Sequence, residues 1–182
     1  EAIRPISPYG ASKAAAEAIC HAFSSAYHLP IKIARLFNTY GPRQPRFVMY
    51  DFYRKLRQNP RQLAILGSGQ QIRDYCFVAD TVDALLRLGQ YESNRCEVFN
   101  VSSGQSHAVV ELAQAMITIL ELKDVELSFT GESWAGDAQR WEVSIDKITS
   151  TVGFSPRYDL HAGLQQFVTW FDAHPERIVI PA

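Results

Sequence analysis

Tyr9-Gly10-Ala11-Ser12-Lys13 opens an alanine-rich run close to the start of the chain. Residues at i and i+4 share a helix face, so this spacing sets a phenol and an ammonium one turn apart. A lysine so placed stabilises the phenolate and draws the tyrosine down from its ordinary value of about 10 toward working pH, which a general acid/base needs. The pair therefore reads as proton-transfer machinery. Ser7-Pro8 supplies a capping hydroxyl and a proline at the first helical position, and helical composition then continues to about His28. Ala11, Ala15, Ala18, Ala22 and Ala26 form a stripe of small residues on this helix. Such a stripe permits close approach, either to the chain's own sheet or to another helix.

Working outward, Ile31 to Phe37 is apolar, carries two β-branched isoleucines and ends at Asn38-Thr39-Tyr40-Gly41-Pro42, which predicts a buried strand feeding a loop. Phe47 to Gln58 is helical with Val48, Phe52 and Leu56 on its apolar face, and Asn59-Pro60 stops it. Leu63 to Leu66 is a short strand ending at Gly67-Ser68-Gly69, Ile72 to Val78 is extended, Asp80 caps a helix to Tyr91, and Glu97 to Val101 is a strand. Val109 to Leu120, Asp146 to Val152 and His161 to Phe171 complete the helices. Strands alternating with helices indicate α/β units around a largely parallel sheet. A parallel sheet buried on both faces needs more strands than the two or three read here, so part of the sheet is expected to lie outside the chain.

The 182 residues are 47% hydrophobic, enough for one well-buried domain. Eighteen basic against 19 acidic residues leave no broad electrostatic footprint for nucleic acid. Cys20, Cys76 and Cys96 are odd in number and widely spaced, and His21, His28, His107, His161 and His174 lack ligand spacing. Neither a disulfide framework nor a metal site is expected, and reduced thiols in a cytoplasmic setting are the default. No apolar run reaches the roughly 18 residues of a membrane span. The chain opens on Glu1 rather than Met, with its best motif almost at once, which reads as a cut end.

Five motifs occur in order: Tyr9-x-x-x-Lys13; Ala34-Arg35-Leu36-Phe37-Asn38-Thr39-Tyr40-Gly41-Pro42; Gln71-Ile72-Arg73-Asp74-Tyr75-Cys76-Phe77-Val78-Ala79-Asp80; Phe99-Asn100-Val101; and Gly136-Asp137. With them the chain resembles the extended short-chain dehydrogenase/reductases that act on nucleotide-diphosphate sugars, the UDP-glucose 4-epimerase-like epimerases and dehydratases. The resemblance covers essentially the whole chain but corresponds to the family from its catalytic tyrosine onward. It implies the C-terminal part of a Rossmann-like doubly wound sheet plus a small α/β substrate-binding domain. Residues 1–40 would be the remaining catalytic helix and strand of the Rossmann domain. Residues 41–182 would be mainly the substrate-binding domain, with some segments returning to the Rossmann sheet. The Gly-x-x-Gly-x-x-Gly turn that seats a dinucleotide pyrophosphate on a helix N-terminus is not in this sequence, so the N-terminal dinucleotide-binding half is expected to be absent.

The resemblance also implies roles. Tyr9 resembles the acid/base on a sugar hydroxyl, Lys13 the residue that binds the nicotinamide ribose and tunes the tyrosine, and Phe37 the residue beside the nicotinamide. Asn38 resembles the amide that reaches the substrate, and Arg73 the arginine that clamps its diphosphate. An arginine suits that task because its planar fork donates two hydrogen bonds and stays charged. Phe47 and Val48, with the strand around Ile65, resemble walls of the base and ribose pocket, and Asp137 completes the implied substrate set. The family usually places a second arginine two residues before Gly-Asp, whereas this chain has Trp134-Ala135-Gly136-Asp137. Either Arg140 substitutes from a shifted position, or Trp134 stacks on a ring, or one arginine grips the nucleotide. The implied cofactor is NAD or NADP, bound largely by the missing half. The implied partners are a nucleotide-diphosphate sugar and a second copy through the Tyr9–His28 helix. The implied reaction is 4-epimerisation through a 4-keto sugar, with 4,6-dehydratase, decarboxylase or reductase chemistry as alternatives within the family. The rival from another class is a catalytically incompetent fragment that at most binds nucleotide sugar.

Overall fold

The computed structural model describes residues 4–131 and 139–178. Helix α1 spans Pro8–Tyr27. Ser7 caps it by accepting the Gly10 N–H at 3.1 Å, and His28 ends it in the left-handed region at φ 54°. Strand β1 (Lys32–Leu36) follows and pairs in parallel with β5 (Glu97–Val101), Lys32 opposite Glu97 and Leu36 opposite Val101. On one face of this pair lies α1, tied down by the Glu17–Arg35 ion pair at 2.6 Å. Residues on the other face, Ala34, Phe99 and Val101, join α3 (Val78–Gln90) and α5 (Asp146–Val152) in a core that includes Leu88, Ile148 and Phe154. The alternation of strand side chains thus serves two helix layers at once.

After Phe37 the chain changes sheets. Asn38–Tyr40 is a strand, β2, rather than the loop its Gly-Pro ending suggested, and it pairs in parallel with β4 (Ile72–Phe77). Strand β6 (Ser106–Ala108) adds to β4 antiparallel. A third, two-stranded sheet pairs β3 (Gln62–Ile65) with β7 (Glu126–Phe129) in parallel. Among the described residues these three small sheets contain all the named strands. Helices α2 (Phe47–Gln58), α4 (Val109–Ile119) and α6 (Leu160–Ala173) enclose the larger core, where Tyr53, Leu56, Met116, Phe167 and Phe171 are essentially inaccessible. A short 3₁₀ turn at Pro175–Arg177 follows α6.

One further expectation changes, and one open alternative is decided. Asp80 does not cap α3, because β4 runs directly into the helix at Val78 with Phe77 as cap. Its buried carboxylate accepts the Tyr158 N–H at 3.1 Å instead. The alanine stripe of α1 does not pack on the chain's own sheet. Ala11, Ala15, Ala18, Ala22 and Ala26 are all exposed, and the less exposed stripe is Gly10, Ala14, Glu17, Cys20 and Ser24. Among the described residues no helix is long and apolar enough to cross a membrane, and no cluster of metal-ligating side chains is assembled.

Candidate functional site

A cleft of about 620 Å³ opens where the chain passes from one sheet to the next. Its size is that of a small-ligand site. At one end stands Tyr9, 72% exposed on the first turn of α1, with the Lys13 ammonium over its ring at 5.5 Å from the centroid. Leu36 and Phe37, at the end of β1, continue this wall, and the Phe37 N–H is held by the Val101 carbonyl at 3.2 Å. The next residue, Asn38, already belongs to β2. Its amide nitrogen donates to the Asp74 carbonyl at 3.0 Å, which fixes the side chain's orientation at the cleft.

Strand β4 supplies the floor. Arg73 is only 9% exposed, yet it is the only arginine or lysine among the described residues that lines the cleft. Its Nη1 donates to the Ile72 carbonyl at 2.7 Å. Its guanidinium carbon lies 5.5 Å from the centroid of the Trp141 ring, and that indole meets Phe37 edge-on at 6.2 Å. Asp74, next along β4, is fully buried, and its Oδ1 accepts from the backbone and hydroxyl of Ser103 at 2.9 and 2.6 Å. This carboxylate ties the loop after β5 to the strand carrying Arg73. Burial pushes the Tyr75 phenol up to about 12 and raises that of Tyr40 as well, so both remain protonated and act as walls. The phenol that stands open at the mouth is Tyr9.

The far end is apolar. Phe47 and Val48, in the first turn of α2, and Leu66, just after β3, line it. Phe47 is 70% exposed and holds φ 64°. Ile65 does not line the cleft. The alternation of β3 turns it into the core, fully buried, and turns Leu66 outward. Asp137 and Trp134 lie outside the described residues. Arg140 is not in the cleft wall, and its guanidinium pairs with Glu142 on the surface. The cleft therefore gathers Tyr9, Phe37, Asn38, Phe47, Val48 and Arg73, with Lys13 beside Tyr9. Sequence reasoning missed Trp141, Leu66 and Gln71, of which Leu66 was recoverable from the period of two in its strand.

The donor set at the Tyr9 end suits the nicotinamide-ribose end of a dinucleotide. A phenol and an ammonium face ribose hydroxyls well, and the apolar Leu36 and Phe37 suit the face of a flat ring. The Gly-x-x-Gly-x-x-Gly pattern does not occur in this sequence. A helix-borne Tyr–Lys pair at the end of a parallel strand, facing a cleft between sheets, defines a Rossmann-like α/β protein of the dehydrogenase/reductase class. The chain belongs to the NAD dependent epimerase/dehydratase family, whose model matches residues 1–102.

Its relatives span several reactions of that family. It is 31% identical over 176 residues to the dTDP-D-glucose 4,6-dehydratase of Mus musculus, covering 92% of this chain and 48% of the relative. It is 32% identical over 175 residues to UDP-glucuronic acid decarboxylase 1 of Xenopus tropicalis, covering 93% and 40%. Among solved structures it resembles the UDP-glucuronic acid 4-epimerase of Bacillus cereus in complex with UDP-glucuronic acid and NAD, with TM-score 0.85 and 26% identity over 94% of this chain and 55% of that one. The chain spans about half the length of the curated relatives it matches.

Proposed function

We propose that this chain is the catalytic-helix and substrate-binding portion of an NAD-dependent epimerase that inverts C4 of a nucleotide-diphosphate sugar. The observation that carries the reading is convergence: Tyr9, Phe37, Asn38, Val48 and Arg73, scattered along the sequence, meet in one cleft. Within it, Tyr9 takes the proton of the sugar 4-hydroxyl and later returns one. The Lys13 ammonium, one turn on and over the Tyr9 ring, binds the nicotinamide ribose hydroxyls and keeps a positive charge beside the acid/base. Arg73 and Asn38 hold the diphosphate while the sugar turns over, and the Phe47–Leu66 end receives the base. NAD, when bound, supplies the hydride acceptor and donor. In this reading residues 1–40, with β5 returning to pair with β1, are what the chain holds of the dinucleotide-binding domain, and residues 41–182 are mainly the substrate-binding domain. The exposed alanine stripe of α1 supports a homodimer through that helix.

A 4,6-dehydratase or decarboxylase begins with the same oxidation, and the mouse and Xenopus relatives keep both reactions open. The test is to denature the native gene product, assay released NAD, and follow UDP- and dTDP-hexoses by product analysis, with Tyr9→Phe as control. Inversion at C4 lost in Tyr9→Phe supports the proposal. A 6-deoxy-4-keto or decarboxylated product moves the assignment within the family, and absence of bound dinucleotide leaves a chain that at most binds nucleotide sugar.

A further inference from the structure

We propose that Trp141 is a positioning residue: its indole, lying against the Arg73 guanidinium, helps to pre-aim that side chain for the diphosphate. The inference rests on the reading of Arg73 as that clamp. Arginine is long and rotamer-rich, and a lone one grips phosphate well only when its plane is fixed beforehand. Here its restraints include the Nη1 bond to the Ile72 carbonyl at 2.7 Å and the Trp141 ring 5.5 Å from the guanidinium carbon. A delocalised cation over an indole face is attracted electrostatically.

Trp141 is 40% exposed and is anchored chiefly through its backbone. Its backbone N–H donates to the same Ile72 carbonyl at 3.1 Å, its backbone carbonyl accepts from the Ser106 hydroxyl at 3.4 Å, and the Phe37 ring meets the indole edge-on. The segment reaches β4 through a parallel bridge between Ile72 and Arg140, which delivers the indole beside Arg73. Arg140, the sequence's nearest candidate for a second arginine, is turned to Glu142.

The experiment is calorimetric titration of the native protein with UDP, dTDP and the phosphate-free nucleosides uridine and thymidine. Trp141→Leu is expected to weaken diphosphate binding about five- to tenfold while nucleoside binding stays within about twofold, and Trp141→Phe, which keeps a ring face, restores most of the loss. Arg73→Lys keeps the charge without the planar face, leaves Trp141 untouched and gives the same selective loss. If Trp141→Leu binds diphosphates like the wild type while Arg73→Ala does not, the positioning role is wrong and the clamp stands. Equal loss for diphosphates and nucleosides makes the indole a plain wall and also overturns the proposal. Arg73→Ala binding diphosphates as the wild type does, or a wild type that binds neither UDP nor dTDP, removes the clamp reading itself.

Discussion

Replacing Gly163 by alanine tests how tightly the floor of the cleft is built. Gly163 lies in α6 against Tyr40, and a Cβ there would sit 2.0 Å from the Tyr40 hydroxyl, 2.8 Å from its Cζ and 3.0 Å from the Phe77 ring. Tyr40 is buried, lines the cleft, and donates to the Leu160 carbonyl at 3.3 Å. In an unobstructed helix, Gly→Ala stabilises by about 1 kcal/mol. Overpacking a core with no flexible end to displace costs about 2–3 kcal/mol, so the net expectation is destabilisation by about 1–2 kcal/mol. Tyr40→Phe alone gives up a long hydrogen bond and costs about 0.5–1 kcal/mol. The double variant removes the 2.0 Å contact but keeps the 2.8 Å one, so its cost should fall short of the sum by about 1 kcal/mol. Urea unfolding at constant m reads all three values from the midpoints. A Gly163→Ala chain at least as stable as the wild type, or a strictly additive double variant, would refute the packing argument.

Ser7→Ala removes the cap that accepts the Gly10 N–H, and should cost about 1 kcal/mol, with hydrogen exchange of the Tyr9–Ala11 amides accelerating while the rest of the chain is unchanged. Gly67→Ala should cost about 1–2 kcal/mol in a thermal melt, because its φ of 80° strains any L side chain and its Cβ would lie 1.9 Å from the Gln71 amide nitrogen. The Ser93 hydroxyl, then Lys147 and Arg95, hold the Glu97 carboxyl below its ordinary value. A depressed carboxylate contributes stability above its unfolded value, about 4.3, and loses it as pH falls below that. Glu97→Gln should therefore be less stable than wild type at pH 7 and converge on it near pH 3, as read by urea midpoints; a gap unchanged with pH would remove the carboxylate from the account.

The long elements were legible because several local signals agreed in each. In α1 a serine cap, a proline and helix-forming alanines coincide, and in α2 an apolar period ends at Asn59-Pro60. The short strands were not, because their stability is non-local. Asn38-Thr39-Tyr40 has the composition of a turn entry and becomes a strand only because Tyr75, Cys76 and Phe77 lie opposite. Ser106–Ala108 and Glu126–Phe129 likewise exist through β4 and β3. Asp80 looked like a cap because it precedes a helical run, but a strand that flows straight into a helix needs none there, and the carboxylate was recruited to Tyr158. Trp141 carried no sequence signal beyond being an aromatic in a polar stretch, since its partner is made by the bridge to Ile72.

The location of the cleft follows from this mixture of local and non-local order. Only Phe37 separates β1, bonded to β5, from β2, bonded to β4, so the backbone crosses between two sheets in a single residue. A seam of that kind leaves side chains from both sheets facing a common gap, which is where α/β folds place their ligands. The sheet under α1 presents Tyr9 at the mouth, highly exposed and backed by Lys13, while the second sheet presents Arg73, almost wholly buried and braced on Ile72 and Trp141. In the proposed reaction these opposite degrees of restraint are what the chemistry requires. A sugar that must offer both faces of C4 to one acid/base needs room at Tyr9, and the leash that keeps it from leaving has to be firm at the diphosphate. A substitution that loosens Arg73 should therefore be felt in binding, whereas one that crowds the Tyr9 end should be felt in turnover.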